Sequence, residues 1–269
     1  GSQIIAASHS EVVLNEAANR GRVVAFVGKP HTINDKGSRL LKSLVDLGFD
    51  QYYQAEQKGW VLYLESTTDL DILRVFAETL GHPAQNYLAT PFLHPISTNI
   101  PQRAREHFFG LREAKSDLVG VAIFDRLEKE LQSGTPLVET MWRKREIENY
   151  LCREDVLLAY AVSDLSDDLF GRAERQQRNE AMKASIVELT GALGTLSKPG
   201  PWSEDIKATD EFLDPLFKAF SAKLGVPLVL RKNEYYKLAK FVAKDSIDAE
   251  ITEKLDVIAM VGAKARPPV

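Results

Sequence analysis

Two carboxylates four positions apart, Glu65 and Asp69, straddle a change of pattern from the apolar run Trp60-Val61-Leu62-Tyr63-Leu64 to a helix opening at Ser66-Thr67-Thr68. That spacing puts the glutamate on a strand tip and lets the aspartate turn back toward the same space. A third acid, Asp125, ends the apolar run Leu118-Val119-Gly120-Val121-Ala122-Ile123-Phe124. Carboxylates gathered from separate elements supply the several oxygen ligands that hard divalent cations want at about 2.0–2.6 Å. Magnesium or manganese fits this donor set, whereas zinc does not, with so few nitrogen or sulfur ligands in view. Glu65 and Asp69 alone would be ordinary acids at the positive end of a helix; Asp125 makes the metal reading worth pursuing.

The elements that must position these acids follow from periodicity. Trp60–Leu64 and Leu118–Phe124 are too continuously apolar for one-sided strands and predict a parallel sheet buried by helices on both faces. Helices are expected from Ser66 to a cap at Gly81, around Arg103 to Lys115, and at Leu40, Leu41, Leu44, Val45 and Leu47. Further β-type runs lie at Gln3–Ala7, Val23–Val27 and Tyr87–Thr90. An acid-bearing strand is expected at Leu137–Tyr150, and a return strand at Val226–Leu230. In an open α/β sheet, ligands bind at the carboxyl edge, where the acids sit.

Between about Arg153 and Gly225 the pattern turns helical, with Ile186, Leu189, Leu193 and Phe212, Leu213, Leu216, Phe217, Phe220 at three-to-four spacing. The expected organisation is a short segment over 1–20, an α/β core over 21–152, a helical insertion over 153–225, and a return strand with helices over 226–269. Gly1-Ser2 has the look of a vector-derived scar, and the direct entry into a β-type run is expected of a piece of a larger protein.

Several motifs now point to a family. Val61-Leu62-Tyr63-Leu64-Glu65-Ser66-Thr67-Thr68-Asp69 followed by Val121-Ala122-Ile123-Phe124-Asp125 resembles the two acidic motifs of a Toprim domain, where a strand-end glutamate precedes a strand ending in Asp-x-Asp. Arg145-Glu146-Ile147-Glu148-Asn149-Tyr150-Leu151 is similar to a segment typical of OLD-family (overcoming-lysogenisation-defect) nucleases, which join an N-terminal ABC-type ATPase to a C-terminal Toprim nuclease. Ser8-His9-Ser10 resembles the last core strand and switch histidine of such ATPases. The resemblance implies a Toprim-like, Rossmann-like fold and a metal-dependent DNA nuclease with a role in phage defence. Gly28-Lys29-Pro30 lacks the residues of a phosphate cradle, so ATP would be engaged only through the family's N-terminal ATPase region, which also implies that region as partner and as the route to oligomers.

On that reading Glu65, Asp69, Asp125, Glu146 and Glu148 hold two Mg²⁺ or Mn²⁺ ions, which activate water and neutralise the leaving oxygen of a phosphodiester. A lysine aimed at the scissile phosphate would steady the developing charge; it is assigned to Lys232, with Lys237 second. Arg143, Lys144, Arg145 and Lys237 are candidates for contact with DNA phosphates. The second aspartate of Asp-x-Asp is absent, the stretch reading Asp125-Arg126-Leu127. Either Glu128 or Glu130 substitutes, or one metal site is weakened. The alternative is a degenerate Toprim that regulates or binds DNA around one structural cation. A topoisomerase-like activity would need a nucleophilic tyrosine, and no motif marks Tyr150, Tyr235 or Tyr236 for that role.

Composition agrees with a globular protein of one or two domains. The chain has 269 residues, 44% of them hydrophobic, with 16 Gly and 12 Pro, which is neither low-complexity nor disordered. The net charge of −4 announces neither nucleic acid nor membrane by itself. The one cysteine, Cys152, is expected to be packed and inert and suits a reducing compartment, so the expected location is the cytoplasm. No run is long and apolar enough to span a bilayer.

Overall fold

The computed structural model describes residues 48–267 apart from 97, 133, 135 and 167, together with residues 4–8, 13, 16, 21, 22, 24, 25, 31 and 32. His9, Gly28-Lys29-Pro30 and the helix expected at Leu40–Leu47 lie outside the described residues. Residues 4–7 of the first β-type run form no strand, and Ile4 and Ile5 stand in solvent. Of Val23–Val27, the short strand β1 (Val24–Ala25) pairs antiparallel with β2 (His31–Thr32), separate from the main sheet.

From residue 49 the chain alternates helices and parallel strands. Helix α1 (Phe49–Lys58) precedes β3 (Trp60–Leu64), and α2 (Thr67–Leu80) follows. Ser66 caps α2 by accepting the Thr68 N–H, and Gly81 closes it in the left-handed conformation at φ 68°, which glycine adopts without a Cβ clash. Next come the single turn α3 (Gln85–Leu88), β4 (Leu93–Pro95), α4 (Pro101–Ala114), β5 (Val119–Phe124) and β6 (Leu137–Met141). All three pairings in the order β4-β3-β5-β6 are parallel. The expected α/β fold, a parallel sheet with helices on both faces, is the one observed.

Alternate side chains of the central strands enter two apolar clusters, which is why these strands read as continuous apolar runs. Trp60, Leu62, Leu64, Val121 and Ile123 face a cluster that includes Leu73 and Phe76 of α2. Val61, Tyr63, Ala122 and Phe124 face a second cluster with Ala55 of α1 and Ala104, Phe108 and Leu111 of α4. Close approach of α4 requires Gly120: a Cβ there would lie 2.9 Å from the Phe108 ring.

The remaining helices are α5 (Glu154–Ala161), α6 (Leu169–Thr195), α7 (Asp214–Leu224), α8 (Tyr236–Ala239) and α9 (Ala249–Gly262). A π-helical turn over Ala208–Leu213 leads into α7. Buried side chains of α5–α7 belong to the same apolar cluster as the first sheet face. No helix among the described residues is long and apolar enough to cross a membrane.

Three further expectations about strands are corrected. Tyr87–Thr90 is not a strand, since Gln85–Leu88 is a helical turn; the edge strand is Leu93–Pro95, whose proline occupies a position where the missing N–H is tolerated. Val226–Leu230 forms no strand, and Val226 and Leu228 remain partly in solvent. The strand expected over Leu137–Tyr150 stops at Met141, and Ile147–Tyr150 is a 3-10 turn. Glu146 caps that turn, exchanging hydrogen bonds with Asn149, so Glu146 and Glu148 do not alternate along a strand.

Candidate active site at the carboxyl ends of the strands

Glu65 and Asp125 are the residues immediately after β3 and β5, neighbouring strands of the sheet, and their carboxyl groups are hydrogen-bonded to each other. Asp69 reaches the same place from the first turn of α2, where the Ser66 hydroxyl donates to its Oδ1 at 2.6 Å. Glu146 and Glu148 arrive from the 3-10 turn beyond β6. Lys232, at the start of another 3-10 turn (Lys232–Glu234), completes the wall. These six residues and Ser66 line one small cleft. All six catalytic candidates therefore converge, although they come from five separate parts of the chain.

Burying like charges together has a predictable electrostatic result: protons stay on. Asp125 is pushed up to about 10 by burial, by its hydrogen bond with Glu65, and by the charges of Glu65, Glu146 and Asp69. Asp69 is raised to about 6, chiefly by burial, with the Ser66 hydroxyl opposing the shift. Burial raises Glu148 well above the carboxylate range, and the charges of Glu146 and Asp69 add to it. Glu146 is raised by burial against the pull of the Thr209 N–H, which donates to its Oε1 at 2.5 Å, and of Lys232 and Lys207. At neutral pH Asp125 therefore keeps its proton and donates it toward Glu65.

The donor set is oxygen throughout, which suits a hard divalent cation. Among the described residues, however, no three His, Cys, Asp or Glu side chains already stand in a metal-binding arrangement. Oxygens of Asp125, Asp69 and Glu146 are engaged by a proton, a hydroxyl and a backbone N–H. Ligand binding would have to displace those partners.

Glu128 and Glu130, the expected substitutes for the missing aspartate, are exposed and do not line the cleft. After Asp125 the backbone turns toward β6, the Arg126 N–H donating to the Arg145 carbonyl and the Leu127 N–H to the Met141 sulfur. Leu127 packs against the second apolar cluster. Glu146 and Glu148 supply the further carboxylates instead. Among the DNA-contact candidates, Arg143 pairs with Glu250 and Glu253, Lys144 with Asp248, and Lys237 with Glu234. Arg145 is exposed beside the cleft residues. His9 lies outside the described residues, and Cys152 is buried with its thiol pushed well up by burial.

Sequence reasoning missed the residues that brace this site. Asn149 accepts the Glu146 N–H at 2.9 Å and donates to the carbonyls of Ser203 at 3.1 Å and Ile206 at 3.0 Å. Thr209 holds Glu146, and Lys207 lies close enough to feel the charges of Glu146 and Glu65. The Ser66-x-x-Asp69 spacing was a legible signal for the first contact. Nothing local marked Lys207 or Thr209, about sixty residues from Glu146 in the chain.

No family model, curated protein or solved structure matches this chain.

Proposed function

We propose that the chain is a divalent-metal-dependent DNA nuclease, a Toprim region of an OLD-family protein, hydrolysing phosphodiester bonds in the cytoplasm in phage defence. The observation that carries the reading is the convergence of five carboxylates and one lysine at the carboxyl edge of a parallel sheet. Glu65, Asp69, Asp125, Glu146 and Glu148 would hold Mg²⁺ or Mn²⁺. Bound there, such ions supply an activated water and neutralise the leaving oxygen.

The protein's own groups do the rest. Lys232 brings an exposed ammonium to the cleft wall, where a phosphate would meet it. Asn149 fixes the Glu146 backbone, and the Thr209 N–H offsets part of the Glu146 charge until a cation takes its place. Arg145, exposed beside this turn, is placed to meet a flanking phosphate. ATP and subunit contacts are assigned to the family's N-terminal ATPase region.

A second reading has one observation in its favour: Leu127 stands where the second aspartate would be and packs into apolar surroundings. On that reading the acids hold a single structural cation and the region regulates or binds DNA. Plasmid nicking with Mg²⁺ or Mn²⁺, and none with EDTA, is the expected result of the nuclease reading. Plasmid left intact across both metals, with one calorimetric cation site, selects the second.

A further inference from the structure

Of the three tryptophans, Trp60 and Trp142 are buried at 4% and 2% exposure, whereas Trp202 is 46% exposed. Its ring meets Phe212 nearly perpendicularly, with centroids 5.4 Å apart and planes at 79°. Phe212 is wholly buried, so the surface left uncovered belongs to the indole. An aromatic surface held in water on a braced backbone offers a flat face on which a ring can stack.

The brace is explicit. Trp202 follows Pro199-Gly200-Pro201, and the Ser203 N–H closes a turn on the Gly200 carbonyl at 3.0 Å. The Asn149 amide that accepts the Glu146 N–H also grips the Ser203 carbonyl, one residue from Trp202. The Arg145 N–H donates to the Glu204 carbonyl at 2.8 Å. On the other side, Phe212 shares its π-helical turn with Thr209, whose N–H holds Glu146. Indole and carboxylate cluster are therefore set by the same backbone.

The same backbone segments carry exposed cations. Arg145 is exposed, Lys198 pairs with Glu211, and Lys207 pairs with Asp210, each of these lysines more than two-fifths exposed. Exposed pairs of this kind contribute little to stability, so a phosphate can take over the lysine at little cost. An aromatic face with backbone-neutralising cations is how proteins hold unpaired nucleotides.

We infer that Trp202 stacks on an unpaired base of the strand entering the acidic cleft, and that the substrate class is DNA with single-stranded nucleotides next to the scissile phosphate. This rests on the nuclease reading and refines its substrate.

The test is a titration of the whole chain with a short single-stranded oligothymidylate, with calcium in place of magnesium. Tryptophan emission, to which only Trp202 is open among the three indoles, is followed alongside the anisotropy of a labelled oligonucleotide. Expected are quenching on binding, about tenfold weaker binding for Trp202→Ala, and retention of most affinity by Trp202→Phe, which keeps a stacking face. Duplex of the same length should quench less and bind more weakly. Equal affinity of wild type and Trp202→Ala, or equal quenching by duplex, overturns the platform while leaving plasmid cleavage to stand. If wild type neither binds DNA nor cuts plasmid, the nuclease reading itself has failed and the platform goes with it.

Discussion

The carboxyl groups of Glu65 and Asp125 hydrogen-bond to each other at the ends of two adjacent parallel strands. Two carboxyls in that relationship are compatible only if one keeps its proton, and Asp125 does, pushed up to about 10 by burial, by Glu65 and by the acids around them. A hard cation would compete for the same oxygens, so proton and metal occupancy exclude one another.

Replacing Asp125 by Asn keeps a donor toward Glu65 and removes the group that can become a carboxylate for a cation. On the proposed nuclease reading, cleavage should fall by about a hundredfold or more, because losing a carboxylate that would hold the cation sacrifices several kcal/mol of transition-state stabilisation. The fold should survive, with metal-free thermal stability at pH 8 equal to or above wild type. Nicking rate and a melting curve check both; a variant that cuts at the wild-type rate refutes the assigned role.

Raised carboxylates also fix the sign of the pH dependence. In the unfolded chain Asp69 and Asp125 titrate near 3.8, whereas in the fold they titrate near 6 and 10. The folded state therefore binds more protons in that window, so their stabilising contribution is complete below about 4 and is lost as pH rises through 6 and then 10. Without metal, the melting temperature should fall across this range. Manganese at a hundredfold excess over its Kd should restore roughly 5–10 °C, more at pH 8 than at pH 5. Calorimetry in buffers of different ionisation enthalpy should register protons released on binding. A metal response independent of pH would contradict the arrangement.

Glu250 is the clasp on the segment that carries Glu146 and Glu148. Almost wholly buried, it accepts the Arg143 N–H at 2.9 Å and the Tyr150 hydroxyl, and pairs with Lys254 at 3.1 Å. Glu250→Ala should cost about 3–5 kcal/mol, since it strands a buried ammonium. Glu250→Leu with Lys254→Met should cost less than Glu250→Leu alone, a sign of coupling that chemical denaturation can read.

On the opposite face, Tyr63 and His107 share a 2.8 Å hydrogen bond, and the His94 ring stacks on His107 at 3.7 Å. Burial, with the His94 charge adding, lowers His107 from 6.5 to about 3. Here the unfolded chain takes the proton that the fold refuses, so stability present above pH 6.5 is lost as pH falls toward 3. NMR should find the His107 ring neutral at pH 5. Tyr63→Phe combined with His107→Phe should flatten the acid limb of the stability curve.

The central strands were legible because burial on both faces leaves an unbroken apolar run, and α2 because Ser66 and Gly81 are local caps. The other strand readings failed where a local pattern lacked its partner: Val226–Leu230 is apolar but pairs with no strand among the described residues, and Leu93–Pro95 is short and carries a proline that hides it. Glu146 and Glu148 were correctly grouped with the other acids, yet through a strand that ends at Met141.

Residue type and spacing along the chain were enough to establish a parallel α/β sheet and to put Glu65, Asp69 and Asp125 at its carboxyl edge, since strand periodicity and capping are local properties, whereas Glu146 and Glu148 entered through the resemblance of Arg145–Leu151. Tertiary structure alone decided that Glu128 is left in solvent while Glu146 turns inward, that Asn149, Lys207 and Thr209 brace the cluster, and that Trp202 is presented beside it. Those outcomes depend on which backbone groups need partners across fifty or more residues, and on the shared burial that keeps a proton on Asp125. Neither is written in any short stretch of sequence.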